Sequence, residues 1–86
     1  MKIRITLFGA LRDVDPRGYV ELEVPQASTV STVRERLQAH VRAHAPAVGD
    51  QLVRASAFAN ANEILYDHRA VPDDGELALL PPVSGG

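Results

Sequence analysis

The 86 residues carry nine basic and eleven acidic side chains, a net charge of −2, 45% apolar residues and no cysteine. That length holds one hydrophobic core without a metal or disulfide staple and leaves no room for a second. The charge argues against nucleic acid or anionic lipid as the main partner, and the missing thiols exclude a disulfide framework, a Cys-based zinc site and a thiol nucleophile.

Lys2 to Phe8 alternates, with Ile3, Ile5 and Leu7 on one parity and Lys2, Arg4, Thr6 and Phe8 on the other. This is a strand with one buried face, and Phe8 puts an aromatic ring on its outward parity. Gly9 ends it, and "ALRDVDPRG" reads as a short helical turn or loop closed by Pro16 and Gly18. Tyr19 to Val24 alternates again, so the first two strands form an antiparallel hairpin with a long turn. Met1 leads straight into a strand, which predicts no secretory signal. No run approaches the roughly 20 apolar residues of a membrane span, so a soluble cytoplasmic protein is expected.

Pro25 stops the second strand, and the period changes. Val30, Val33, Leu37 and Val41 form the apolar stripe of a helix. Ser28 or Thr29 is its expected N-cap, with a side-chain oxygen accepting from a first-turn N–H. Thr32 and Glu35 have capping-box spacing, but a start there would leave Val30 off the stripe. Pro46 and Gly49 end the helix.

In the second half, Leu52 to Ala59 ("LVRASAFA") reads as a strand of small residues, "NANE" as a turn, and Ile64 to Tyr66 as a short strand. "DHRAVPDDGE" is a loop punctuated by Pro72 and Asp74-Gly75. Glu76 to Leu80 is the last strand, with Leu77 and Leu79 on one parity and Leu80 on the other. The order predicts an α+β domain, one small sheet covered by one helix, with the first and last strands central. If those strands pair, Phe8 and Leu80 meet on the face away from the helix, as an apolar patch suited to partner docking.

The chain then ends "PPVSGG". Pro81 and Pro82 fix an extended, stiff departure from the sheet, and six residues span roughly 20 Å. Gly85 and Gly86 lack Cβ and permit close backbone approach. Such a thread suits entry into a narrow channel on another protein, delivering a terminal carboxyl group. A carboxylate resists nucleophilic attack, so acyl chemistry there requires prior activation. ATP-dependent adenylation would supply it, and neither a GxxxxGK[ST] loop nor a GxGxxG motif is present to bind ATP in this chain. No cofactor is expected to be bound, and ATP falls to a separate activating enzyme.

Other candidates have simpler readings. His40 and His44 have metal-ligand spacing on a helix, but no third ligand or HExxH context accompanies them, and a solvated face accounts for them. No metal site is expected. Asp73-Asp74 reads as turn formers, and "RERLQAHVR" as the solvated side of the helix. His68 lies in a loop and has no assigned role. Arg12 and Asp13 are an interaction turn or a local surface ion pair.

"KIRITLFGALRD", "STVSTVRERL", "FANANEI" and above all "VPDDGELALLPPVSGG" resemble corresponding segments of the MoaD family, the small ubiquitin-like subunit of molybdopterin synthase. The resemblance runs along nearly the whole chain, with Ala59 where the family often has valine and an apparent extra residue near Asn62. It implies a β-grasp (ubiquitin-like) fold, a mixed sheet of four to five strands on one main helix, over residues 1–80, with 81–86 as a flexible functional tail. It implies a carrier that is not catalytic alone. Gly86 would be adenylated by a ubiquitin-activating-type adenylyltransferase, converted to a thiocarboxylate with a sulfurtransferase as donor, and inserted into the large synthase subunit to sulfurate precursor Z. Gly85 would keep the approach narrow, Pro81, Pro82, Val83 and Ser84 would line the channel, and Phe8 and Leu80 would dock partners. Three other readings remain open. They are a sulfur carrier for thiamine or cysteine synthesis, a ubiquitin-like tag conjugated through Gly86, and a plain interaction module.

Overall fold

Ile3, Ile5 and Leu7 are all buried on strand β1 (Lys2–Leu7), while the alternate positions face outward. The computed structural model describes residues 1–83, so Ser84, Gly85 and Gly86 lie outside the described residues. Strand β2 (Tyr19–Glu23) returns antiparallel, setting Ile3 against Leu22 and Ile5 against Val20. The connection between them is a 3-10 helix, Gly9–Val14, whose Leu11 and Val14 turn into the core.

Helix α1 (Val30–His44) buries Val30, Val33, Leu37 and Val41, the expected stripe, against one face of the sheet. Its first turn departs from expectation. Thr29 occupies the N-cap position, yet its side chain caps nothing, and the Ser28 hydroxyl donates back to the Pro25 carbonyl. The Val30 and Ser31 N–H groups instead donate to the Arg69 and Asp67 carbonyls, at 2.9 and 3.0 Å. A distant loop therefore satisfies the orphan donors of the helix start.

The strand expected at Leu52–Ala59 is divided. Residues Asp50–Ala55 form a second helix, α2, and only Ala57–Ala59 form strand β3. Gly49 precedes α2 with φ 78°, Asp50 places a carboxylate at its positive end, and the Ser56 hydroxyl donates to the Leu52 carbonyl near its other end. Val53 is its buried anchor. Among the described residues a second, six-residue α-helix thus accompanies the main helix α1.

Strands β4 (Ile64–Leu65) and β5 (Glu76–Leu80) complete the order β2-β1-β5-β3-β4. β1 and β5 are parallel neighbours, with Arg4 beside Glu76 at one end and Leu7 beside Leu79 at the other. A parallel pair requires a crossover, and α1 supplies it. Phe58, Leu77 and Leu79 close the core from the β3 and β5 side. This is a β-grasp fold.

Candidate functional site

Where β5 ends, three features converge. Leu79 is fully buried and pairs with Leu7 on one side and Phe58 on the other. Leu80 points to the opposite face and is half-buried, paired with Ala57. Phe8 stands just beyond the end of β1, at the position before the 3-10 helix, and is 45% exposed. The register that sets Leu7 beside Leu79 brings Phe8 and Leu80 to the same end of the sheet.

The tail leaves from this point. Pro81 is half-buried, while Pro82 and Val83 are exposed, Val83 at 85%. Gly9 holds a positive φ of 57°, and a Cβ placed there would stand 2.8 Å from Pro81 Cγ. The bare backbone of Gly9 thus forms the seat for the first tail proline. Gly9 was legible only as a strand stop, because nothing in its neighbours announces a distant proline packed against it.

The outward face of the sheet divides into two halves. On β1 and β2 it is charged, with an Arg4–Glu21 pair at 3.4 Å and the Arg4 and Arg17 guanidinium groups 4.3 and 4.7 Å from the Tyr19 ring centre. On β5, β3 and β4, register alternation puts Leu80, Ala78, Ala57, Ala59 and Ile64 on the outer face with Glu76 at its far end, Ala59 buried there and Ile64 40% exposed. This apolar half adjoins Phe8 and the root of the tail. Ile64 and the three alanines were not expected there, although the alternation in "AFA" carried the signal.

The remaining candidates resolve on geometry. The Asp74 carboxylate accepts from the Glu76 N–H, and Asn60 accepts from the N–H groups of Asn62 and Glu63, so both are turn formers. Among the described residues Arg12 and Asp13 form no ion pair. Asp15 pairs instead with Arg17 at 2.9 Å, and the hydrogen bonds from the Arg17 side chain and backbone lower the Asp15 pKa to about 2. The His40 and His44 rings lie 4.5 Å apart, and burial of His40, with His44 beside it, lowers the His40 pKa. No group of three or more potential metal ligands occurs among the described residues.

Arg34 corrects the reading of the helix charges as solvated. Its Nη1 donates to the Val53 and Ser56 carbonyls at 2.8 and 2.7 Å, and its Nη2 to Asp67 Oδ1 at 3.0 Å. The guanidinium also lies 5.0 Å from the centre of the Phe58 ring.

Pro81, Pro82 and Val83 thus leave the sheet between its buried end and an apolar outer face. The profile of the ThiS family matches residues 5–86. The chain belongs to the ThiS family. Members are ubiquitin-like sulfur carriers or modifiers, which generally work with activating enzymes and synthase subunits. A crystal structure of SAMP1 from Haloferax volcanii is similar over 100% of both chains, at 29% identity and a TM-score of 0.70. A crystal structure of H. volcanii small archaeal modifier protein 1 is similar over 95% of this chain and 98% of its own, at 25% identity and a TM-score of 0.66. No curated protein matches the chain. Among the described residues of this ThiS-family chain, no helix is long and apolar enough to cross a membrane.

Proposed function

We propose that the chain is the sulfur-carrying small subunit of a molybdopterin synthase, working in the cytoplasm. The observation that carries this reading is the "PPVSGG" run leaving directly from β5 in a ThiS-family fold. The Gly86 carboxylate attacks the α-phosphate of ATP on a ubiquitin-activating-type enzyme, giving an acyl-adenylate and releasing pyrophosphate. The terminal sulfur of a sulfurtransferase persulfide then displaces AMP to form an acyl disulfide, and a reducing thiol cleaves its S–S bond to leave a thiocarboxylate, a better nucleophile than the carboxylate it replaces. Phe8, Leu80 and the apolar half of the sheet dock the large synthase subunit. Pro81, Pro82, Val83 and Ser84 thread its channel, and Gly85 keeps the thread narrow. Gly86 then delivers sulfur to precursor Z. The chain supplies delivery and the large subunit supplies catalysis.

A second reading is favoured by the two similar structures, one of which is described as a small archaeal modifier protein. On that reading the same acyl-adenylate, or a thioester derived from it, is attacked by a lysine amine of a target protein. Thiamine and cysteine carriers share the first steps as well. Deletion of Gly86 tests what all the acyl-transfer readings share. Sulfur transfer to precursor Z by the reconstituted synthase should disappear with the thermal midpoint unchanged. Transfer that survives the deletion would place the chemistry elsewhere.

A further inference from the structure

We propose that Lys2 is the single acceptor through which copies of this chain are joined to one another, the Gly86 carboxyl of one copy forming an isopeptide bond with Lys2 Nζ of the next. The proposal rests on the modifier reading and gives it an address.

Of the nine Lys and Arg residues, eight are arginine and only Lys2 is lysine. A guanidinium stays protonated in proteins and has no free lone pair for acyl attack, whereas a lysine amine in its neutral form has one. The amino group of Met1 is otherwise engaged. It donates to the Val24 carbonyl at 2.6 Å, while the Met1 carbonyl accepts from the Val24 N–H at 3.0 Å, extending the β1–β2 ladder. Lys2 is exposed, lies on the outward parity of β1, and forms no ion pair among the described residues.

Its position suits chain growth. β1 and β5 run parallel, so Lys2 lies at the opposite end of the sheet from Leu80 and the tail. A copy attached there leaves Phe8, Leu80 and the acceptor's own tail uncovered. Closure within one copy would require the tail to double back along about 17 Å of sheet from a stiff Pro-Pro root. Lys2 also lines an open hollow of about 390 Å³ with Arg4, Glu21, Asp74, Gly75 and Glu76.

In the joining step the Lys2 nitrogen attacks the Gly86 carbonyl carbon of an acyl-adenylate formed from ATP by the activating enzyme. The C–N bond forms, the C–O bond to AMP breaks, and AMP leaves with the electron pair. The amine proton passes to water or to a carboxylate of the hollow.

The test expresses the tagged full chain in its own cells and purifies conjugates under denaturing conditions, beside the Lys2→Arg and Gly86-deleted forms. Trypsin should yield the branched peptide of residues 1–4 carrying residues 70–86 on Lys2. Lys2→Arg should lose the homotypic species while keeping conjugates to other proteins, and the Gly86 deletion should lose both. Conjugates to other proteins without any homotypic species would overturn the proposal and leave the modifier reading standing. Homotypic linkage that maps to Met1, or that survives Lys2→Arg, would overturn it as well. Absence of every conjugate would remove the modifier reading and the proposal with it.

Discussion

At Gly9, one missing Cβ joins the start of the 3-10 helix to the root of the tail. Its φ of 57° alone makes a side chain costly there, by roughly 1–2 kcal/mol. Gly18 provides the comparison, with φ 82° and no atom within 4 Å of the point where a Cβ would stand. Gly18→Ala should therefore show the backbone cost alone, and Gly9→Ala that cost plus displacement of the Pro81 ring. Urea denaturation of both variants checks this. Equal losses would mean that Pro81 does not press on Gly9. The tail prolines were legible in the sequence because their chemistry is local. The seat beneath them was not, since it exists only once β1 and β5 pair.

At the scale of elements, Arg34 is the tie between α1, the C-terminal end of α2 and the loop after β4. At the end of this short helix the Val53 carbonyl accepts from the Ser56 N–H and from Arg34, and the same guanidinium donates to the carbonyl of Ser56, the residue that follows the helix. Its side chain is only 15% exposed, whereas its Asp67 partner is 53% exposed, so the carbonyl bonds should dominate. Arg34→Met should cost about 2–3 kcal/mol of unfolding free energy, and Asp67→Ala less than about 1 kcal/mol. Arg34→Lys should not restore the loss, because one ammonium cannot reproduce the planar fork. Chemical denaturation measures all three, and a neutral Arg34→Met would remove the clamp from the account. The same residue explains the misreading of "LVRASAFA". Six helical residues are too few to display a period, and a partner on α1, far upstream in the chain, caps their end. The expected Ser28 or Thr29 side-chain cap failed for a related reason, since the 67–69 loop carbonyls had already taken the first-turn donors. By contrast, β1, β2, the stripe of α1 and β5 were legible because each buries one face with an unbroken period.

For the molecule as a whole, the fold separates functions by position. One sheet face holds α1 and the core, and the outer face divides into a charged half on β1 and β2 and an apolar half on β3, β4 and β5. The parallel β1–β5 pair puts Phe8, Leu80 and Pro81 together at one end, and the acidic turn and Lys2 at the other. The central placement of the first and last strands was legible from their continuous apolar patterns, whereas their parallel pairing emerges only in the folded sheet. The breadth of the apolar half was not, because Ala57, Ala59 and Ala78 are too small to signal a surface individually. The central claim concerns the carboxyl group of Gly86, and the most direct measurement is the intact mass of the full chain. The chain would be incubated with ATP, the activating enzyme and the sulfur donor. The account predicts replacement of one oxygen by sulfur, located by fragmentation at Gly86 and absent when ATP is omitted. An unchanged mass under conditions in which the activating enzyme sulfurates another carrier, or a sulfur located away from Gly86, would contradict it.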